Sequence, residues 1–203
     1  MRKKYSAKFR QYGPTPEGVD WGKNRQNTEL RLKKMSELIG QPVSGKPSIL
    51  DVGCGYGAFY KYLQDNVTGN FQYTGIDLCG DMIKSAKQQY LGGVWLTDDF
   101  ISHDFGSKKF DYIICNGIFT QKFTTSTLEM TEYLKLVIDK FNKLSRRGFV
   151  FNVMSSHVNF QVDNLYYFSP TDMLSYLLIN VSKNVRLDHA YGLYEYCCYV
   201  YKS

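Results

Sequence analysis

The chain has 203 residues, 43% hydrophobic and 22% charged, a length and balance that suit one folded domain with its own core and exclude a disordered chain. Lys and Arg number 25 against 19 Asp and Glu, and much of the mild +6 excess sits in Arg2, Lys3, Lys4, Lys8 and Arg10. No apolar run is long enough to span a bilayer, and no apolar stretch follows the basic start, so neither a membrane span nor a secretory leader is expected and the cytoplasm is the expected location.

In chain order, the basic start reads as a solvated arm, with a contact to nucleic acid or anionic lipid as the alternative. Residues 12–21 hold two prolines and two glycines and read as turns. A helix is expected from about residue 27, with Leu30, Met35, Leu38 and Ile39 at helical spacing, ending near Gly40-Gln-Pro42. Residues 1–45 therefore read as a lid or cap, and residues 46–203 as the main domain. From Ser48 onward strands are expected at 48–52, 71–77, 94–96, 110–115 and 148–153. Helices are expected between them, from 58 to 64, 81 to 90 and 128 to 144. A helix opening at Pro170 and a hairpin over 185–187 and 193–201 finish the chain. The fold class is α/β, a Rossmann-like, seven-stranded, mostly parallel sheet with helices on both faces and an antiparallel last strand.

The five cysteines, Cys54, Cys79, Cys115, Cys197 and Cys198, form no Cys-x-x-Cys pair, so they read as buried thiols of a reducing compartment, and no metal site is expected. In such a sheet, ligands bind beyond the carboxyl ends of the strands. The first strand runs into Asp51-Val-Gly53-Cys-Gly55-Tyr-Gly57 directly before a helix. Glycines at alternate positions let the backbone turn tightly and approach a ligand. The second strand ends in Asp77, a carboxylate placed to accept hydrogen bonds from a ribose diol. A nicotinamide dinucleotide and an ammonium-bearing nucleoside both suit glycines and acid in this order. Asp51, two residues before the first glycine, repels a pyrophosphate and suits an ammonium.

The segment Ile49-Leu-Asp-Val-Gly-Cys-Gly-Tyr-Gly57 resembles the first motif of the class I S-adenosylmethionine-dependent methyltransferases. The resemblance extends by motif order to about residue 153 and implies S-adenosyl-L-methionine as cofactor and S-adenosyl-L-homocysteine as product. Tyr73-Thr-Gly-Ile-Asp77 is similar to the family's acidic second motif, which implies Leu78 and Met82 against the adenine. Asp98-Asp99-Phe100 matches the position that holds the adenine amino group, with Asp99 preferred and Phe100 beside it. Asn116 and Gly117 match the loop after the fourth strand, which borders both methionine moiety and substrate. Arg31 is a candidate partner of the cofactor carboxylate, or a solvated helix arginine. Trp21 either walls the pocket or staples the leader to the core.

Methyl transfer from a sulfonium is an in-line displacement that needs alignment and exclusion of water more than a catalytic group. His157, after the fifth strand, and His189 with Tyr191 are the candidate bases where the acceptor must lose a proton. The first reading is transfer to an O or N atom of a small-molecule acceptor, which the lid-like leader and the short stretch after the last strand support, by a monomer or homodimer. A nucleic-acid methyltransferase is disfavoured, because Asn116-Gly-Ile-Phe119 lacks the prolines of base-amino methylating motifs and no further domain is available to read bases. A non-catalytic module that only binds the cofactor is the third reading.

Overall fold

The structure, a computed structural model, describes residues 2–40 and 45–202. An α-helix at Arg2–Tyr12 (α1), a 3₁₀ turn at Glu17–Val19 and a helix at Arg25–Ser36 (α2) precede the first strand, Ser48–Val52 (β1). There follow α3 (Ala58–Asn66), β2 (Gln72–Asp77), α4 (Gly80–Gln89), β3 (Gly93–Thr97), β4 (Phe110–Phe119), α5 (Thr127–Leu144) and β5 (Ser145–Ser155). The chain closes with β6 (Tyr167–Phe168), α6 (Pro170–Asn180), β7 (Val185–Asp188) and β8 (Glu195–Tyr201).

The strands form one sheet in the order β3-β2-β1-β4-β5-β8-β7, with β6 paired to β5 off that path. Strands β1 to β5 are parallel, and β8 lies antiparallel between β5 and β7. The expected sheet is therefore present, enlarged by the two-residue β6. Strand order reverses between β1 and β4, and a crevice opens at that point beyond the strand ends.

Local signals set the helix starts. The Asn24 side chain caps α2 by accepting from the backbone N–H groups of Gln26 and Asn27. Ser126 and Glu129 form a reciprocal capping box at α5, and Ser169 followed by Pro170 starts α6. The Gln41-Pro42 stop expected for the leader helix lies outside the described residues. Helices cover both sheet faces. Leu32, Met35, Leu63 and Ile83 pack from α2, α3 and α4 against Ile49 and Ile114 on one face. Leu134, Val137, Phe141 and Leu177 pack from α5 and α6 against Leu50 and Phe149 on the other.

The main departure is α1. The sequence reads as a solvated basic arm there, yet residues 2–12 form a helix docked on the domain. Phe9 is buried and its ring stacks on Tyr56 with centroids 6.3 Å apart. Tyr5, one turn earlier, meets Phe123 edge-on at 5.8 Å, and Lys4 sits over the same ring. Arg10 pairs with Asp81 at 2.9 Å and Lys8 pairs with Asp20. Residues spaced i, i+4 share one helix face, so Tyr5 and Phe9 are an apolar stripe that five cations obscure in the sequence.

Candidate functional site

The crevice is walled by the loops after β1, β2 and β3 and by the irregular end of β4, where Asn116 and Gly117, expected in a loop after the fourth strand, lie within the strand itself. The glycines of the first loop, Gly53, Gly55 and Gly57, have φ of 75, 54 and 88°, a region a Cβ makes costly. Gly53 and Gly55 line the cavity, and Gly57 does not. At Gly57 a Cβ would stand 2.8 Å from the Trp95 ring and 3.0 Å from Tyr90, so this glycine lets α3 seat on its neighbours.

Asp77, at the end of β2, accepts from Gly55 N–H at 2.9 Å and from Cys79 N–H at 2.7 Å. These two bonds aim the carboxylate along the cavity wall. Burial pushes its pKa up, and the two amides oppose that shift. Asp51 is 3% exposed and lines the same cavity from the end of β1. Burial pushes its pKa up to about 7, the hydrogen bond from the Tyr73 hydroxyl works the other way, and nearby Asp77 adds to the rise.

Leu78, Met82, Asp98, Asp99 and Phe100 form the wall beyond β2 and β3. Asp98 is engaged by His103 Nδ1 at 2.8 Å. Asp99 accepts one bond, from Ile101 N–H at 3.1 Å, through Oδ1. Asn116, Gly117 and Ile118 close the cavity on the β4 side. The Asn116 amide is buried, and among the described residues neither its nitrogen nor its oxygen has a partner. An unpaired buried amide costs about 1–3 kcal/mol per group, so the cavity presents a donor and an acceptor to whatever fills it. Trp21 forms part of the wall, its indole nitrogen 3.0 Å from where a Cβ on Gly117 would stand. Tyr5 and Asp20 form the roof, and Tyr133 enters from α5. Burial pushes both tyrosine hydroxyls up, with Asp20 and Asp77 adding at Tyr5 and Cys115 and Asp99 at Tyr133. Both therefore stay protonated donors at neutral pH.

A family profile described as "Methyltransferase domain" matches residues 49–137. A Mycobacterium tuberculosis (strain ATCC 25618 / H37Rv) protein described as "Putative methyltransferase Rv1506c" is 35% identical over 158 residues, spanning 77% of this chain and 93% of that protein. The chain belongs to the class I S-adenosylmethionine-dependent methyltransferases. Its fold is similar to two solved members. One is the magnesium protoporphyrin IX methyltransferase of Synechocystis PCC 6803 with bound SAH, at TM-score 0.68 and 15% identity over 100% of this chain and 98% of that one. The other is the plantazolicin methyltransferase BpumL in complex with SAH, at TM-score 0.63 and 13% identity over 99% and 95%.

S-adenosylmethionine is the cofactor of this methyltransferase, and the cavity suits it. Asp77 keeps lone pairs beyond its two amide bonds, Asp51 faces the cavity as an acid, and the orphaned Asn116 amide matches an aminoacyl group. Of the residues singled out in the sequence, Trp21, Asp51, Gly53, Gly55, Asp77, Leu78, Met82, Asp99, Phe100, Asn116 and Gly117 come together on one cavity.

Five do not. Gly57 sits behind the wall. His157 is exposed, because Tyr194 and Phe168 receive the backbone at the end of β5 and turn it outward. His189 is exposed against the Tyr196 ring at 5.9 Å. The Tyr191 hydroxyl lies 3.3 Å from Cys197 Sγ and 3.5 Å from Glu195, away from the cavity. Arg31 donates through Nε to Glu195 at 2.9 Å, and Glu195 is 2% exposed. The arginine is therefore the counter-ion of a buried acid on β8. Arg31→Met is expected to lower stability by about 3 kcal/mol, since it strands a buried charge. Thermal melts with and without SAH test this: the ligand-induced rise in Tm should be retained, and its loss would return Arg31 to the cofactor.

Tyr5, Asp20, Ile118 and Tyr133 were not legible as cavity residues. The i, i+4 pair Tyr5 and Phe9 was the available signal for the roof. Asp20 carries positive φ at the end of the 3₁₀ turn, and nothing local announces that in the sequence.

Proposed function

We propose that this methyltransferase transfers a methyl group to an O or N atom of a small, uncharged or cationic acceptor, and that residues 1–45 serve as its cap. The observation that carries this reading is the charge of the cavity wall. Among the described residues it holds Asp20, Asp51, Asp77, Asp98 and Asp99, and no Lys, Arg or His. Such a wall repels a phosphate chain and tolerates a neutral body or an amine. Helix α1 and the turn behind it cover the cavity from above, which leaves a pocket rather than a groove. Magnesium protoporphyrin IX and plantazolicin, for which the two structural neighbours are named, are likewise discrete acceptors. Among the described residues no helix is long and apolar enough to cross a membrane.

The cofactor, when bound, supplies a methyl group already activated on sulfur. The chain's own part is to bind, orient and dry. Asp77 takes the ribose diol, Asp51 and Asn116 take the aminoacyl end, and Leu78, Met82 and Phe100 bracket the base beside Asp99. Tyr5 and Trp21 exclude water from above, and the Tyr133 hydroxyl is available to orient a polar acceptor. His157, His189 and Tyr191 take no part in proton removal in this scheme.

The test is a labelled-methyl assay against pooled small molecules, fractionated by charge, with total RNA in parallel. Label is expected in neutral or basic small molecules. Label in RNA, with the steep salt dependence of phosphate contacts, would support the nucleic-acid reading instead. Tight SAH binding with no acceptor labelled in either arm would support a module that only binds.

A further inference from the structure

Lys140 lies on α5, outside the cavity, yet the loop that carries Asp99 is wrapped around it. Its ammonium donates to the carbonyl of Ile101 at 2.9 Å and to that of His103 at 2.7 Å. It also stands 5.0 Å from the Phe100 ring centroid and 5.6 Å from that of Phe105, within reach of both π faces. The loop has further clasps of its own. His103 N–H bonds the Asp99 carbonyl at 2.8 Å, and His103 Nδ1 holds Asp98 at 2.8 Å. Asp99 in turn receives Ile101 N–H at 3.1 Å. Residue 101 is thus gripped at both ends of its polar backbone, by Asp99 at the nitrogen and by Lys140 at the oxygen. Phe100, between Asp99 and Ile101, is buried and forms cavity wall on one side. A single ammonium therefore fixes the carbonyls two and four residues beyond Asp99 and the ring beside it.

We infer that Lys140 is a positioning residue for base recognition: by holding loop 98–105 against α5 it orients the Asp99 carboxylate and the Phe100 ring toward the 6-amino edge of the adenine. The inference rests on the reading of Asp99 as the partner of that amino group. Its chemical content is selectivity. A carboxylate oxygen accepts from an exocyclic amine and repels a carbonyl oxygen in the same place. A fixed Asp99 distinguishes adenine from hypoxanthine, and a loosened one adapts to both.

The test is calorimetric binding of S-adenosylhomocysteine and of its hypoxanthine analogue, S-inosylhomocysteine, to the wild type, Lys140→Met and Lys140→Arg. The wild type is expected to prefer the adenine compound by about tenfold or more, the scale of one charge-assisted hydrogen bond. Lys140→Met keeps the stem over the rings and loses the donors, and its preference is expected to fall to about threefold or less. Lys140→Arg, which can serve two carbonyls, is expected to restore most of it. Should the Met variant not give a native melt, Lys140→Gln takes its place. A variant that weakens both ligands equally, or that melts lower with the preference intact, reduces Lys140 to a structural role and overturns the inference. A wild type with no preference overturns the reading of Asp99 and the inference with it. The two failures are told apart by which protein lacks the preference.

Discussion

Asp77→Asn is expected to weaken S-adenosylmethionine and S-adenosylhomocysteine binding by about two to three orders of magnitude. The carboxylate closes β2 with one oxygen on Gly55 N–H and the other on Cys79 N–H. Each oxygen has a second lone pair, and in the role proposed for Asp77 those accept from two ribose hydroxyls. Hydrogen bonds to a charged group contribute about 1.5–3 kcal/mol each, so losing most of two such bonds gives the stated range. The amide substitute has one acceptor atom and one donor, so it must set its NH₂ against either Gly55 N–H or Cys79 N–H. That conflict costs about 1–3 kcal/mol. Removing a buried negative charge, whose pKa burial already pushes up, offsets part of it. The melting temperature of the empty protein is therefore expected to change by only a few degrees. Calorimetry and a thermal melt on the same sample separate the two effects. Affinity within about threefold of the wild type would remove Asp77 from the cofactor site.

Asp51→Asn is expected to abolish a pH effect as well as to weaken binding. In the folded protein the Asp51 carboxyl titrates near 7, because burial penalises its charge. Unfolded, it titrates at the ordinary value near 4. Its folded pKa is raised, so between about pH 4 and pH 7 the folded state holds a proton that the unfolded state has lost. Stability from this group falls as pH rises through that window and stays low above 7. The loss is on the order of a few kcal/mol for the empty wild type. The Asn variant cannot ionise, still accepts from Tyr73, and is expected to melt higher than the wild type at pH 8 and alike at pH 4. Binding should move the opposite way. An ammonium on the ligand rewards the ionised acid, so wild-type affinity is expected to rise between pH 6 and 8, and the variant's to stay flat and weaker. Parallel pH dependence in both proteins would detach Asp51 from the ligand's amine.

The parts of the molecule legible in its sequence are those where one residue's chemistry has one structural use. Alternate glycines before a helix have few uses other than a tight strand-to-helix turn, and Asp51, Asp77 and Asp99 mark strand ends because acids there need a reason. Those positions converge on the cavity. What escaped was set by distant partners. Arg31 is a helix arginine until β8 brings Glu195 beneath it, 164 residues later in the chain. His157 follows the fifth strand, where ligand residues sit in such sheets, but β6 and the turn before β8 occupy that strand end and turn it outward. Helix α1 reads as a solvated arm because its five cations dominate, although Tyr5 and Phe9 bury one side. Charge in a sequence reports what faces water, and a thin apolar stripe beneath it is easily lost.

The place of β8 has a consequence for how the chain is made. Glu195–Tyr201 is inserted between β5 and β7 rather than added at a margin. While these residues are still in the ribosome, β5 has a bare flank, and the aromatic layer that holds Tyr196 and Val200 is incomplete. The nascent chain can form the glycine turn and its first parallel strands early, yet it cannot seal its interior until β8 has been made. Emergence of β8 is then the moment of cooperative closure, and the interval before it is when an uncovered strand flank is most exposed to mispairing with other chains.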